Sequence, residues 1–245
     1  MLFHRAARLE MAAAYRGLDQ LGLNEGVCNH LSMMAPRADG KGQTMLVISY
    51  GLHWSEVTAS SLVGLNEQAE VVDGEGTVDI AASSIHLGIR HARPDATVVM
   101  HTHQPYSTAL ACMKDPTLQM IHQNSARFYK RVAYDSNYSG LALAIDEGKR
   151  LGEALGDKDI LFMGHHGVIS VATNVALAFD HLYYLERAAQ LQVLAFSMQR
   201  EVGLIPEKNC KLTCDELWKE IQGYGDAHFY SMYRRLRKTQ PDFEQ

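Results

Sequence analysis

The sequence predicts an α/β protein: one domain in which helices lie on both sides of a mixed β-sheet. Short apolar runs rich in β-branched residues, typical of buried strands, alternate with longer segments of helical periodicity. The order of these segments lacks the regular strand–helix repeat of a parallel sheet, which favours a mixed sheet. The 245 residues suit one large domain or two small ones, and the sequence has no internal repeat or linker rich in proline and serine.

The predicted helices combine amphipathic periodicity with a capping residue, a proline or a glycine at one end. In chain order they are residues 2–21 before Gly22, 59–62 after Thr58, a helix from Ser83 or Ser84 to Arg93, a helix from Pro105, 147–155 before Gly156, and a long helix from Thr173 or Asn174 to about Gln199. Two shorter helices are predicted further on, 215–221 and 227–237, joined by Gly223-Tyr224-Gly225.

The predicted strands are short apolar runs bounded by turn residues. They are residues 29–34, 44–49, 96–100, 159–163 and 168–171, with a strand-like pair within 119–135 and a hairpin turn at 70–76.

Two histidines follow one of these strands and carry the most chemical information. His101 and His103 flank Thr102 directly after the run 96–100. Residues two apart on a strand point to the same face, so both imidazoles project together from the strand's carboxyl end. Two neutral imidazoles that converge on one point form half of a divalent metal site.

A second histidine motif follows another predicted strand. Gly164-His165-His166-Gly167 lies between the runs 159–163 and 168–171, and its glycines let the backbone approach another group closely. We expect His165 or His166 to supply a third metal ligand, and the residues alone do not choose between them. The competing interpretation is two unrelated features, a pair of ordinary histidines at a strand end and a tight turn.

Composition and charge limit the partners. The net charge is −5 and the pI is about 6.2, so we expect no nucleic-acid surface and no basic membrane patch. The sequence has no apolar run of the ~18 residues that a membrane span needs. The amino-terminal residues lack the features of a secretory signal. The four cysteines are scattered, so we expect reduced thiols in a cytoplasmic protein.

Taken together, several motifs resemble the class II aldolase/adducin family. The resemblance spans roughly residues 5–200 and depends on the order and spacing of the motifs. The motifs are 22–26, 49–51, Ile85-His86, 92–96, His101-Thr102-His103 with Pro105, and His165-His166-Gly167. It implies an α/β/α sandwich around a mixed, mostly antiparallel sheet, in homotetramers with active sites at subunit clefts. We expect residues 1–205 to form this domain and 206–245 to form a helical tail on the domain or on a neighbouring subunit.

The resemblance also implies the metal ligands. The three zinc-binding histidines of the family carry over to His101, His103 and His166. Three histidines leave an open coordination position, which is the pattern of a catalytic metal. We expect a divalent cation, with Zn²⁺ ahead of Mn²⁺ and Fe²⁺.

The sequence departs from the sugar-phosphate aldolases of this family. Their catalytic glutamate falls on Ala82, and their phosphate-binding serines fall on Ile80 and Ala81. Their threonine in the preceding phosphate turn falls on Tyr50, although Gly51 remains. The chain therefore resembles the adducin-like branch, in which the glutamate is commonly absent, and we expect a non-phosphorylated substrate.

Other residues are candidates for substrate binding and proton transfer. The candidates for substrate binding are His30, Tyr50, Gly51 and His53, the last together with Trp54. The candidates for proton transfer are Asp79, His122 as an acid or a fourth ligand, and Tyr230 or Tyr233 donated across a subunit boundary. For each, a structural role is the alternative: a surface loop, a surface carboxylate, a core histidine or a packed tail.

Three functions remain open from the sequence. The first is a metal-dependent carbon–carbon lyase, aldolase-like or decarboxylase-like, that acts on a small oxo- or hydroxy-acid. The second is a non-haem iron oxygenase, because three histidines with open positions also suit Fe²⁺. The third is a non-catalytic, adducin-like interaction module. The metal content of the purified protein separates the first two.

Overall fold

One eight-stranded sheet forms the centre of the protein. The computed structural model describes residues 4–37, 40, 42–142 and 145–245. The strands lie in the order β4-β3-β2-β1-β5-β8-β7-β6. All neighbouring pairs are antiparallel except β6 and β7. The strands are β1 (His30–Pro36), β2 (Gln43–Ile48), β3 (Leu62–Leu65), β4 (Val71–Asp73), β5 (Val98–Thr102), β6 (Val132–Asp135), β7 (Ile160–Met163) and β8 (Gly167–Ala172).

Eight α-helices and two short 3₁₀ turns complete the described part of the chain. The helices are α1 (Arg5–Gln20), α2 (Ile80–Ala92), α3 (Pro105–Ala111), α4 (Gln123–Ala126), α5 (Ile145–Leu155), α6 (Val175–Ser197), α7 (Glu207–Lys219) and α8 (Ile221–Thr239). The 3₁₀ turns are Trp54–Glu56 and Pro241–Glu244. Leu2, the predicted start of the first helix, lies outside the described residues.

The two faces of the sheet are covered by different helices, which confirms the predicted α/β class. Val99 of β5 belongs to a core cluster with Ile85 of α2 and Leu151 of α5. Its neighbours Val98 and Met100 belong to the larger cluster on the other face, with residues of α1, α6 and α8. This alternation follows from the two-residue period of a strand. Because His101 and His103 continue the alternation from Val99, they lie on the α2/α5 face.

Helices α2 and α5 pack without side chains between them at one point. A Cβ atom on Gly148 would overlap the carbonyl oxygen of Ser84, and one on Gly88 would overlap the backbone of Gly148. The close approach of these two backbones fixes α2 against the sheet next to β1 and β5. It therefore also fixes the position of His86, which lies on α2 and faces the histidines of the sheet.

Two predicted helix starts are wrong, and each has a local cause. Residues 59–62 form a turn in which Thr58 Oγ1 accepts from the Ser61 N–H, and strand β3 starts at Leu62. Helix α2 starts at Ile80, because the Asp79 carboxylate accepts from the Ala81 N–H at 2.7 Å and caps the helix four residues before Ser83.

The end of the chain also differs from the prediction. Gly223 and Gly225 lie inside α8 rather than between two helices, and α8 is 19 residues long. It packs against α6 and α1 on the face of the sheet opposite to His101. Beyond it, Asp242 pairs with the buried Arg16 at 2.8 Å. The division of the chain at residue 205 stays a prediction.

The helices that the structure describes include none with the length and apolar character needed to cross a lipid bilayer.

Gly148→Ala should destabilise the fold, because its methyl group has no space between α2 and α5. Overpacking of this kind costs about 1–3 kcal/mol in the free energy of unfolding, measured by urea titration. Gly223→Ala is the matched control, since nothing lies within 4 Å of its added Cβ in α8. It should stabilise the fold by about 0.5–1 kcal/mol. A Gly148→Ala protein as stable as wild type would contradict the packing described.

A buried histidine on α6 should make the fold sensitive to acid. Neither ring nitrogen of His181 has a hydrogen-bond partner among the described residues. Burial, followed by the charge of Arg127, lowers the pKa of His181 to about 3. The unfolded chain, with a histidine pKa of about 6.5, therefore binds this proton first as the pH falls, and stability is lost between the two values.

From pH 7.5 to pH 5 this histidine should lower the free energy of unfolding by about 2 kcal/mol, which is about 1.5 pH units at 1.36 kcal/mol each. Urea titrations of wild type and His181→Leu at both pH values measure the difference. Equal pH dependence in the two proteins would show that His181 is protonated in the folded state.

Candidate metal centre

Three histidines from two separate parts of the chain converge at one edge of the sheet. Their ligand atoms, one from each of His101, His103 and His166, all lie within 4.8 Å of one another. The Nε2 atoms of His101 and His103 are 3.2 Å apart. The ring centroids are 4.8–5.0 Å apart in all three pairs. These are the separations expected of imidazoles arranged around a single ion.

The pairing of β5 with β8 brings the two motifs together. Thr102 lies opposite Val168 in this antiparallel pair, so the turn before β8 lies beside the end of β5. A Cβ atom on Gly167 would lie 2.6 Å from the Thr102 carbonyl oxygen and 2.7 Å from Cδ2 of His103. Only glycine therefore fits at this position without moving the strand end or the histidine ring.

The turn also distinguishes His165 from His166. The residue pattern alone left this choice open, and the family resemblance implied His166. His165 has a φ of 58°, in the left-handed region that is uncommon for residues other than glycine. Its ring is exposed and contacts the ring of Tyr138 at 6.4 Å. His166, the next residue, is half-buried and joins His101 and His103.

Hydrogen bonds and burial keep the ligand atoms ready to bind a cation. The Nδ1–H of His101 donates to the Val168 carbonyl at 3.1 Å, and the Nδ1–H of His103 donates to the Glu25 carboxylate at 2.5 Å. Each bond leaves Nε2 with its lone pair free. Burial holds the pKa of His101 well below its usual value and lowers the pKa of His166 to about 4. Both rings are therefore neutral near pH 7, as metal ligands must be.

A second, buried group of polar residues lies next to His101. The ring of His30 is 5.0 Å from the ring of His101, and its Nδ1 is hydrogen-bonded to Nε2 of His86 at 2.7 Å. The Nδ1 of His86 is hydrogen-bonded to the Ser32 hydroxyl. Burial, followed by the charges of His103 and His166, lowers the pKa of His30 to about 3. The sequence predicted His30 near the site but assigned no role to His86.

A cleft of about 610 Å³ opens over the exposed side of the histidine group. It is lined by Asn24, Glu25, His103, Pro105, Thr108, Tyr138, Gly140, Leu141, His165 and His166. Glu25, Tyr138 and His165 bring ionisable groups to its walls. The residue pattern predicted no role for Glu25 or Tyr138. Glu25 lies in the turn 22–26, one of the motifs that carry the family resemblance. The polar residues of this turn are the signal that could have indicated a role for it in the site.

The predicted substrate-binding loop lies at the same edge of the sheet, two strands away. Tyr50 and Gly51 follow β2, which β1 separates from β5, so at ~4.8 Å per strand the two strands that lead to this loop and to the histidines are roughly 10 Å apart. Tyr50 is 60% exposed. His53 caps the turn Trp54–Glu56 by accepting from the Ser55 N–H. Trp54 is fully buried against Tyr15 and belongs to the core.

The remaining candidates lie outside the histidine group of a single chain. The Asp79 carboxylate caps α2. His122 is exposed and caps α4 by accepting from the Asn124 N–H. The Tyr230 hydroxyl donates to Glu10 at 2.7 Å, on the face of the sheet opposite to the histidines. Roles for these residues in substrate chemistry, or across a subunit boundary, stay predictions.

The fold and the histidine group define the class: an α/β protein with a three-histidine candidate metal centre at the edge of its sheet. A family model described as the class II aldolase and adducin N-terminal domain matches residues 9–193. The chain belongs to this family.

Individual relatives agree with this assignment. A class 2 aldolase protein of Caulobacter vibrioides is 32% identical over 88% of this chain and 81% of its own length. An adducin-related protein of Schizosaccharomyces pombe is 34% identical over 78% of this chain, and the chain spans 59% of that relative. The crystal structure of a Pseudomonas syringae aldolase II superfamily protein has a TM-score of 0.90, with 30% identity over 98% of this chain and 96% of that one.

Other relatives have names of several kinds. A Streptomyces niveus protein named decarboxylase NovR is 26% identical over 90% of this chain and 81% of its own. A Streptomyces roseochromogenus protein named 4-hydroxy-3-prenylphenylpyruvate oxygenase/4-hydroxy-3-prenylbenzoate synthase is 27% identical over 90% and 79%. Rat alpha-adducin is 34% identical over 76% of this chain, which spans 25% of it.

Proposed function

We propose that this protein is a metal-dependent carbon–carbon lyase that cleaves or decarboxylates a small, non-phosphorylated oxo- or hydroxy-acid. The observation that carries the proposal is the group of three histidines, whose donor atoms lie within 4.8 Å of one another beside an open cleft. Family membership and the relative named as a decarboxylase support the same class of reaction.

The residues present fit a divalent cation, with Zn²⁺ as our first choice. His101, His103 and His166 offer three neutral nitrogen donors, and His101 and His103 are oriented by bonds from their second nitrogens. When bound, such an ion supplies a Lewis acid that withdraws electron density from a substrate carbonyl oxygen. The protein holds the donors in position and leaves the cleft side open for a substrate.

The cleft favours a substrate without a phosphate group. The described residues that line it include no lysine or arginine to bind a phosphate dianion. The positions of the family's phosphate-binding serines are occupied by Ile80 and Ala81, whose side chains form no hydrogen bonds. A carboxylate or hydroxyl next to a carbonyl would instead be oriented by the cation itself.

Proton transfer has to use groups other than the missing glutamate. Ala82 is buried on α2 one turn before His86, and its methyl group cannot exchange protons. The cleft offers Glu25, Tyr138 and His165 within its walls. Decarboxylation releases a carbanion without first removing a proton from a substrate hydroxyl, so the change to alanine harms it less than it harms retro-aldol cleavage.

An iron-dependent oxygenase is the second candidate. The relative that is named as an oxygenase and synthase covers 90% of this chain, and three histidines with open positions also suit Fe²⁺. Metal analysis of protein purified without added metal distinguishes the two candidates. Zinc or manganese supports the lyase, and oxygen-sensitive iron supports the oxygenase.

A non-catalytic interaction module is the third candidate. The similarity to adducin-related proteins favours it. A chain that binds no metal and turns over no oxo-acid would support this role.

His103→Ala should abolish zinc binding while the fold is kept, because it removes one of three donors and adds no bulk. Wild type should bind about one zinc ion per chain, measured by elemental analysis after dialysis. His91→Ala is the matched control, since it removes an exposed histidine in the last turn of α2, outside the group. Circular dichroism checks the fold of both variants. Full metal occupancy in His103→Ala would overturn the ligand assignment.

Phosphorylated sugars should be poor substrates. With metal-loaded protein, kcat/KM for the best oxo- or hydroxy-acid in a panel should exceed that for fuculose 1-phosphate by about 100-fold. This equals about 3 kcal/mol, the worth of one or two missing charge-assisted hydrogen bonds. Product release is followed by coupled dehydrogenase assays and by CO₂ detection. Efficient turnover of the sugar phosphate would show that the alignment around Ala82 is wrong.

A further inference from the structure

We propose that Glu25 is a positioning residue that fixes the imidazole of His103 for metal binding, and that residues 24–29 form a loop that clamps this one ligand. The inference rests on the metal site of the proposed function and concerns a residue outside the three-histidine group. Residues 24–29 are called the clamp loop below.

His103 needs support that His101 does not. His101 lies within β5 and pairs with His30 of β1 and Ile169 of β8. The last paired residue of β5 is Thr102, opposite Val168, so His103 lies beyond the end of the sheet. Its backbone therefore lacks the ladder hydrogen bonds that fix the position of His101.

The clamp loop supplies two contacts in their place. The Glu25 carboxylate accepts the Nδ1–H of His103 at 2.5 Å, and the Asn29 side-chain oxygen accepts the backbone N–H of His103 at 3.2 Å. The first contact sets the ring and its tautomer, and the second sets the main chain. Together they fix both the origin and the direction of the His103 side chain.

The carboxylate does more than orient the ring. A charged acceptor forms a stronger hydrogen bond than the backbone carbonyl that holds His101. It also draws positive charge onto Nδ1–H and makes Nε2 a better electron donor to a cation. His103 is the more exposed of the two, with 20% of its side chain accessible, so the orientation provided by Glu25 replaces the constraint of burial.

The clamp loop is itself held in a defined shape. The side-chain amide of Asn24 donates to Asp19 at the end of α1, at 3.0 Å. The Cys28 N–H donates to the Glu25 carbonyl at 3.0 Å, and Gly26 between them has a φ of 54°. Glu25 is therefore presented from a tight turn anchored to a helix, although its side chain is 65% exposed.

Zinc affinity tests the proposal directly. Chelator competition measures the Kd for zinc of wild type, Glu25→Ala and Glu25→Gln. Glu25→Ala should weaken zinc binding about 10- to 100-fold, the usual effect of removing a group that orients a ligand. Glu25→Gln should lose less, because its amide oxygen still accepts the Nδ1–H. The matched control is Glu216→Ala, an exposed glutamate on α7, which should bind zinc as wild type does.

A spectroscopic measurement separates orientation from a general structural effect. In long-range ¹H–¹⁵N correlation spectra of the zinc-loaded protein, His103 should be protonated at Nδ1 with a strongly deshielded proton. In Glu25→Ala this proton signal should shift upfield or be lost to exchange, while that of His101 stays in place. The midpoint of urea unfolding of the metal-free protein should be unchanged, because Glu25 is a surface residue and no bound metal is lost.

The outcomes are distinct. Wild-type zinc affinity in Glu25→Ala, or an unchanged His103 proton signal, overturns the role of Glu25 and leaves the proposed function standing. If wild type itself binds no zinc, the metal site and this inference fail together. Equal losses at His101 and His103 would show a collapse of the site and would also overturn the proposal.

Discussion

The antiparallel pairing of β5 with β8 is the constraint on which the site depends. It places Thr102 opposite Val168, so the histidines at the end of one strand meet the turn that begins the next. The pairing requires Gly167, because any Cβ there would meet the Thr102 carbonyl and the His103 ring. One register therefore sets both the sheet and the histidine geometry, and a shift by one residue would move His101 to the other face.

Much of the fold was predictable because its signals are local. The two-residue period of β5, the proline at the start of α3 and the asparagine cap of α6 each act within a few residues, and the structure confirms them. Two wrong predictions have different causes, a competing local cap and tertiary packing. Asp79 caps α2 before the predicted serines, and Gly223 and Gly225 are absorbed into α8 because packing against α6 and α1 outweighs their low helix propensity.

The site was predictable only in part, because its supporting contacts are long-range. Sequence spacing alone indicates that His101 and His103 share a face. The choice between His165 and His166 depends on a positive φ at His165, which the surrounding fold imposes. Glu25 is 78 residues from His103 in the chain, and His30 is 56 residues from His86. No local sequence pattern links such pairs, so these hydrogen-bond partners could be identified only from the fold.

The histidines of the candidate metal centre are neutral, and this bears on the charge of the proposed substrate. His101 and His166 are neutral because burial disfavours their charged forms, and the buried pair His30 and His86 adds no charge next to them. Among the described residues, Glu25 is the one carboxylate that is hydrogen-bonded to a histidine of the group, through Nδ1 of His103. Three neutral donors would thus leave the charge of a divalent cation in the proposed site largely uncompensated. The proposed oxo- or hydroxy-acid substrate carries negative charge of its own, so the proposed function needs no separate cationic pocket.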